Sequence, residues 1–396
     1  MSNWPQWRGP QRNGVAEGTK LPASWPAALP KPKWRVPLGI GYSSPVIADG
    51  VVFIQSRDTK VSQEVCHAID DKTGKMLWTH AYLSTFAPPD PTAGKGPNST
   101  PTVDRGQVYM LGLGGILHCF AARTGKIIWK HDLAKEFWGV EKEEIGDKWF
   151  PVCGATSSAL AVGEEVILSV GGKKAGSLAA FDRATGKLLW KALDDRSSYA
   201  SPVLGEVAGT QQLVAFTGKR MVGIHPKTHA LLWEYPVTCL YEQTIVTPLL
   251  WRNRVLISHE AKPIVALELG AGGQKVAWQS AELSPYLSTP VIVKDHVIGL
   301  DARSRRIVCI DCENGKMIWS SPNRMGKNFA SLVVAGESLL VLSDLGELYV
   351  IAADPSMFKL LKTYKVAEPG TIWSQLAIVE NRLYIRDQTG LSCYAL

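Results

Sequence analysis

Short apolar, often β-branched runs broken by polar turns recur from about residue 34 to the end of the chain. In the first unit, residues 45–48 and 51–54 flank Asp49-Gly50. Residues 64–69 and 76–80 flank Asp71-Lys72-Thr73-Gly74. Runs of this kind around tight turn signals predict four antiparallel strands joined as a meander. The same sentence then returns: a small residue, an apolar one, often an acid, then Thr-Gly-Lys, two apolar residues and Trp. It reads from Ala68 to Trp78, Phe120 to Trp129, Ala180 to Trp190, Gly223 to Trp233, Ala266 to Trp278 and Cys309 to Trp319. Strand-bearing repeats of roughly 41 to 61 residues are the signature of a radial β architecture.

A second column runs in step with the first. A hydroxyl residue opens each unit: Ser44, Thr100, Ser157, Ser201, Thr247, Thr289, Ser331 and Ser374, five of them followed by Pro. Proline is tolerated at the first residue of a strand, where no ladder donor is lost. Eight such openings predict eight units. Trp34 lacks a preceding strand of its own, and Cys393-Tyr394-Ala395 supplies a matching inner pattern at the other end. The expectation is an all-β, single eight-bladed propeller over 34–396, four antiparallel strands per blade. Its ring closes by pairing the N-terminal strand with the C-terminal strands. Residues 1–33 are expected to form a segment packed on it. The unit ending near Leu360 and Leu361 has lost its Trp and its Thr-Gly-Lys. The seven column indoles, Trp34 to Trp319, are read as wedges between blades, each burying on the order of 150–250 Å².

Composition fits one large repeat domain: 45% hydrophobic and 20% charged over 396 residues. No 18-residue apolar run is present, so no membrane span is expected. No basic and apolar leader follows Met1, so the chain as written is expected in the cytoplasm, with a periplasmic or exported location as the alternative. Cys119, Cys309 and Cys393 fall in the small-residue column with Ala68, Ala180, Gly223, Ala266 and Ala352. There a buried thiol acts as a small hydrophobe. Cys309-x-x-Cys312 lacks a second pair, and His67 and His118 share a column that later holds Ala179, Val222 and Val265. No metal ligands are assigned. Ser-His-Asp order, a phosphate-cradling Gly loop and His-Glu-x-x-His are all missing from the sequence.

The Ala-x-Asp-x-x-Thr-Gly-Lys-x-x-Trp turn, its copies and the Ser-Pro strand openings resemble the pyrroloquinoline-quinone-type β-propeller repeat family over about residues 34–396. That resemblance implies the propeller fold. The family contains quinoprotein alcohol dehydrogenases and also non-catalytic propellers, such as the BamB lipoprotein subunit of the outer-membrane barrel-assembly machine. The dehydrogenases carry a vicinal Cys-Cys pair and a Glu/Asn/Asp calcium set; no two cysteines here are adjacent, and the calcium set has no match in this sequence. Eight blades with little else are similar in size and layout to the non-catalytic type. The expected role is therefore a binding or scaffolding module with no cofactor, more a binder than an enzyme. The alternative is an oxidoreductase holding pyrroloquinoline quinone with Ca²⁺ and acting on a sugar- or alcohol-like substrate.

Departures from the repeat locate the expected site. The Trp-to-hydroxyl connection takes 22 residues after Trp78 and 28 after Trp129, against 10 to 14 elsewhere. Long connections of this kind carry function in many folds. Residues 133–145 read as a short amphipathic helix packing on a blade, and Trp149 and Phe150 as aromatics returning toward the ring. The channel mouth on that face is expected two residues before each hydroxyl. Those positions are Tyr42, Asn98, Ala155, Tyr199, Ile245, Leu287, Phe329 and Ile372, with Tyr286, Asn328, Trp373 and Gln375 close by. Of these, Tyr42, Asn98, Trp149, Tyr199, Tyr286, Asn328, Trp373 and Gln375 are the candidate ligand contacts, because rings stack and amides orient. Hairpin tips on the same face carry Arg57, Lys60, Lys173, Lys174, Lys219, Arg220, Lys262, Arg303, Arg305, Arg306 and Arg386, within a net charge of +7. The strongest basic-face candidates are Lys173, Lys174, Lys219, Arg220, Arg303, Arg305 and Arg306, which would attract an anionic partner. Without a stacking groove, nucleic acid is not expected. The expected partner is a protein, a peptide or a polar or anionic small ligand, bound by a monomer.

Overall fold

Each repeat folds into its own twisted sheet, and eight sheets form the ring. The computed structural model describes residues 3–19, 21–22, 24–86, 94–138, 153–171, 176–239, 244–270, 273–368, 370 and 372–396. Blade 1 shows the plan: strands Val46–Ala48, Val51–Asp58, Gln63–Asp70 and Met76–Leu83 pair in sequence order, all antiparallel. Blade 8 is built from both ends of the chain. Ala377–Val379, Arg382–Arg386 and Gly390–Ala395 supply three strands, and Trp34–Pro37 adds the outer one, with Trp34 opposite Cys393. This join leaves no seam open to another chain's strand.

The Trp column and the small-residue column turn out to be cross-strand partners. Ala68 faces Trp78, Cys119 faces Trp129, Ala180 faces Trp190, Gly223 faces Trp233, Ala266 faces Trp278 and Cys309 faces Trp319. A small side chain leaves room for the indole to lie over its partner and reach the next blade. Trp34, Trp78 and Trp129 donate through Nε1–H to the carbonyls of Asp71, Ala122 and Arg183, at 2.9, 2.8 and 2.9 Å. Trp278 and Trp319 do the same to Cys312 and Pro355, each at 3.0 Å. Each acceptor belongs to the following blade, so one hydrogen bond and one ring join two sheets.

The turn glycine is what makes that approach sterically allowed. A Cβ on Gly125 would lie 2.6 Å from the Trp78 ring, and one on Gly74 2.8 Å from Trp34. Both glycines are left-handed, with φ of +70° and +73°. Blade 4 breaks the pattern: His229 stands there with φ 60°, and its imidazole stacks on Trp190 with centroids 4.4 Å apart.

Blade 7 is the degenerate unit in structure as well. Its strands are Ala330–Ala335, Ser338–Ser343, Glu347–Ala352 and Leu360–Lys365. Ala352 is not its small-column residue as expected; it pairs with Ser338, and Val350 faces Lys362 at the Trp position. The small residue has gone with the indole that required it. Trp25, from the N-terminal segment, lies 6.2 Å from Tyr364 and donates to Ser338 Oγ at 3.3 Å. An indole from elsewhere thus reaches the blade that lost its own.

The N-terminal residues also cross the channel. Trp4 bridges to Ile47 of blade 1, and Val15–Ala16 runs parallel to Ala330–Ala335 of blade 7. Between them two fully buried arginines reach different walls. Arg8 donates to the carbonyls of Thr289 and Pro290, at 2.9 and 2.6 Å. Arg12 donates to those of Ala159 and Pro202, the latter at 2.7 Å. Several carbonyl dipoles around each guanidinium replace the water it gives up.

Candidate functional site

The expected hydroxyl column needs correcting in two blades. Backbone N–H groups hand on from blade to blade to the next column side chain: Ser44 to Thr100 at 3.2 Å, Thr100 to Ser158 at 2.9 Å, and Ser158 to Ser201 at 2.9 Å. Thr247 hands on to Thr289 at 3.1 Å, and Gln375 closes the circle onto Ser44 at 2.8 Å. The columns in blades 3 and 8 are therefore Ser158 and Gln375, not Ser157 and Ser374. A neighbouring serine in each case disguised the register, and the amide of Gln375 takes the place of a hydroxyl.

With that register, the channel mouth resolves into a cup. The residues two before the column become Tyr42, Asn98, Thr156, Tyr199, Ile245, Leu287, Phe329 and Trp373, one from each blade, and all eight line one cavity of about 330 Å³. Tyr286, Asn328 and Cys153 add to the rim, and Ser158, Ser201, Thr247 and Thr289 to the lower wall. The floor is Trp7, whose Nε1–H donates to Thr247 Oγ1 at 2.8 Å. The cup opens on the face of the long connections and is stopped below by the N-terminal crossing.

Several expectations change in detail. Ala155 and Ile372 are buried and do not line the cup. Gln375 lies beneath it, 1% exposed, accepting from Ser331 Oγ at 3.2 Å. Trp149, Phe150, Lys173 and Lys174 lie outside the described residues. So does most of the expected helix over 133–145, of which Ala134–Trp138 forms one π-helical turn. Its Phe137 and Trp138 are buried against blade 3, and Trp138 Nε1–H donates to the Val170 carbonyl. Trp7 escaped the sequence reading because nothing local ties it to a residue 240 positions away.

The rim is held by buried charge. Arg57 donates to the carbonyls of Phe86, Ser84 and Lys95, at 2.6, 2.9 and 3.3 Å, and so clamps the first long connection. Gly94 then lies against the cup: a Cβ on it would meet the Tyr42 ring at 2.5 Å. Tyr42 N–H donates to the Pro97 carbonyl at 2.8 Å, and its ring leans on Trp373 with centroids 4.7 Å apart. Glu64 accepts from Tyr82 at 2.6 Å, Ser84 at 2.9 Å and the Leu113 N–H at 3.1 Å, and burial raises its pKa. Elsewhere on the rim, in blade 7, Asp344 accepts from the N–H groups of Lys327, Asn328 and Phe329, which sets the Asn328 and Phe329 side chains.

The basic face is less uniform than its sequence. Arg57 and Arg386 are buried among carbonyls. Arg220 is bound to Asp195 at 2.7 Å and to Glu234, and Arg303 to Asp301 at 3.4 Å. Lys219 and Arg306 are exposed, and Arg305 is partly so. Within the cup the described lining contains no Asp, Glu, His, Lys or Arg. Burial raises the Tyr42 pKa, so its phenol is a neutral donor. The chemistry on offer is stacking, amide and hydroxyl hydrogen bonding and shape.

Among solved structures, BamB from Moraxella catarrhalis superposes with a TM-score of 0.65 at 15% identity, covering 92% of this chain and 98% of that one. The quinohemoprotein alcohol dehydrogenase of Comamonas testosteroni gives 0.66 at 14% identity, covering 99% of this chain and 80% of the enzyme. At these identities both likenesses show the fold alone. The outer membrane protein assembly factor BamB of Yersinia pestis is 23% identical over 280 residues, 68% of this chain. The match spans 62% of that relative's length. The family model described as outer membrane protein assembly factor BamB matches residues 15–147 and 61–321. The eight-bladed ring, its repeat and this match place the chain in the outer membrane protein assembly factor BamB family.

Proposed function

We propose that this protein is a non-catalytic binding propeller, acting as a monomer. It holds a segment of a partner protein on its long-connection face and seats one neutral, ring-bearing side chain in the cup. The observation that carries this reading is the composition of the lining. Eight blades each contribute one uncharged residue, four of them aromatic, around a blind cavity of about 330 Å³. Such a wall rewards burial of an apolar body with a few oriented polar contacts. It offers no carboxylate or imidazole to move a proton among the described residues. Membership of an assembly-factor family supports a protein as partner, and an exported location over the cytoplasmic one. The exposed Lys219 and Arg306, with the half-buried Arg305, would steer an acidic partner toward the rim.

The quinone alternative fits the described residues poorly. Pyrroloquinoline quinone carries three carboxylates, and its calcium needs oxygen ligands from acids or amides. The described lining supplies no cation to balance the one and, beyond the amides of Asn98 and Asn328, no charged oxygen for the other. The test is a fluorescence titration with unfolded outer-membrane-protein segments and with the quinone plus Ca²⁺. Saturable segment binding, weakened in Tyr42→Ala and Tyr286→Ala, supports the proposal. Stoichiometric quinone uptake with a shifted visible band would replace it with the enzyme reading.

A further inference from the structure

We propose that Cys239, His259 and Glu260 form a binding site for a zinc-class divalent ion on the same face, outside the cup. Cys239 follows the outer strand Leu231–Pro236 of blade 4, in the connection leading to Leu249–Trp251 of blade 5. His259 and Glu260 sit in the next hairpin, between Arg254–Ile257 and Ile264–Gly270. A thiol sulfur, an imidazole nitrogen and a carboxylate oxygen, one from each residue, lie within 4.8 Å of one another. Zinc with bonds of about 2.0–2.3 Å in tetrahedral geometry holds its ligand atoms about 3.3–3.8 Å apart. Small side-chain rotations would close the difference.

Two further features favour a ligand role. His259 Nδ1 is buried and has no hydrogen-bond partner, an arrangement that leaves a lone pair or a proton unused. The hairpin is fixed in the shape that brings the pair together. Glu260 and Ala261 are consecutive left-handed residues, with φ of 46° and 55°, and Lys262 N–H donates to the His259 carbonyl at 2.8 Å. Ser258 Oγ–H reaches the carbonyls of Lys262 and Pro285, at 3.0 and 3.2 Å, and anchors the hairpin base.

The donor set selects the ion. Sulfur with nitrogen and oxygen suits zinc and its neighbours, whereas magnesium and calcium take oxygen shells. Three protein ligands leave a fourth position for water. Binding exchanges the Cys239 S–H for an S–metal bond and releases that proton to solvent, so affinity rises with pH. An ion here would tie the blade 4–5 connection, which also carries Ile245 and Thr247 of the cup, to the body of blade 5. The linear sequence conceals the site because its ligands come from two separate segments.

The test uses the full chain stripped of metal, with Zn²⁺ titrated against a chromogenic chelator and Co²⁺ as the spectroscopic probe. The expected result is one equivalent bound and a thiolate-to-cobalt charge-transfer band. The band should vanish in Cys239→Ser and persist in Cys153→Ser, and His259→Gln should weaken Zn²⁺ binding by about tenfold or more. Should a variant fail to fold, Zn²⁺ protection of Cys239 against alkylation in the unmutated protein gives a second measure. Absence of binding, a band surviving Cys239→Ser, unaltered affinity in His259→Gln or equal alkylation with and without Zn²⁺ would each overturn the site. None of these outcomes bears on segment binding in the cup.

Discussion

Trp7 Nε1–H donates to Thr247 Oγ1 at 2.8 Å, and this bond ties the floor of the cup to the hydroxyl column of blade 5. Everything above it is wall from the eight blades; everything below is the N-terminal crossing. Trp7→Phe should keep the floor, lower stability by about 1 kcal/mol for the lost hydrogen bond and leave segment binding nearly intact. Trp7→Ala should remove roughly 3 kcal/mol and weaken binding sharply, because the cup then opens into the channel. Urea unfolding and fluorescence titration measure the two effects. Equal binding by both variants would remove Trp7 from the site.

The indole-on-glycine contact separates steric from backbone strain. Gly125 and Gly106, both in blade 2, have φ of +70° and +78°, but only Gly125 lies under a ring. Gly106→Ala should lower stability by about 1–2 kcal/mol, the strain of a left-handed alanine. Gly125→Ala should lower it by about 1–3 kcal/mol more, because Trp78 must move. Denaturant midpoints of the two variants decide it, and equal losses would mean the ring adapts freely.

Acid should weaken the protein through two buried imidazoles. Burial lowers the His67 pKa to about 4 and the His118 pKa to about 3. Arg386 acts the same way on the first, as do His80 and Lys130 on the second. The unfolded chain binds these protons near pH 6.5 and the folded chain only well below it. Their stabilising effect is therefore complete above about pH 6.5 and is lost as pH falls toward 4. The expected loss over that window is several kcal/mol, at about 1.4 kcal/mol per pKa unit. Glu64, whose pKa is raised, acts in the opposite sense and offsets part of it. Replacing both histidines by Val, the residue at Val222 and Val265 in the same column, should flatten stability between pH 7 and 4.5. An unchanged pH slope would assign the acid sensitivity elsewhere.

Arg57 is expected to hold the rim. Arg57→Met leaves the carbonyls of Ser84, Phe86 and Lys95 without its donors, so stability should fall by about 2–4 kcal/mol. Limited proteolysis should then cut within 84–97 first. Arg57→Lys should not restore protection, since an ammonium cannot span the same carbonyls as a planar fork.

The repeat made the blades, the closing strand at Trp34 and the Trp–small pairing legible, because each is a local rule applied many times. It also gave the face and six of the eight ligand candidates, Tyr42, Asn98, Tyr199, Tyr286, Asn328 and Trp373, a place on the cup. The errors arose where two similar residues adjoin. Ser157 beside Ser158, and Ser374 beside Gln375, shift a column by one, and a one-residue slip changes which side chain faces the axis. What stayed hidden was non-local. Trp7, Arg8 and Trp25 meet partners 240, 281 and 313 residues away. Cys239 and His259 come from successive segments of blades 4 and 5, and Arg220 finds Asp195 in the preceding connection, 25 residues upstream.

The crossing segment has a consequence for how the molecule is made. Arg8 and Thr289 are 281 residues apart, and Arg12 and Pro202 are 190 apart. The crossing segment leaves the ribosome well before its partners and has nothing to grip until they have been synthesised and folded. That segment is thus made before its partners and seated after them, and the floor of the cup is laid only when the walls already stand.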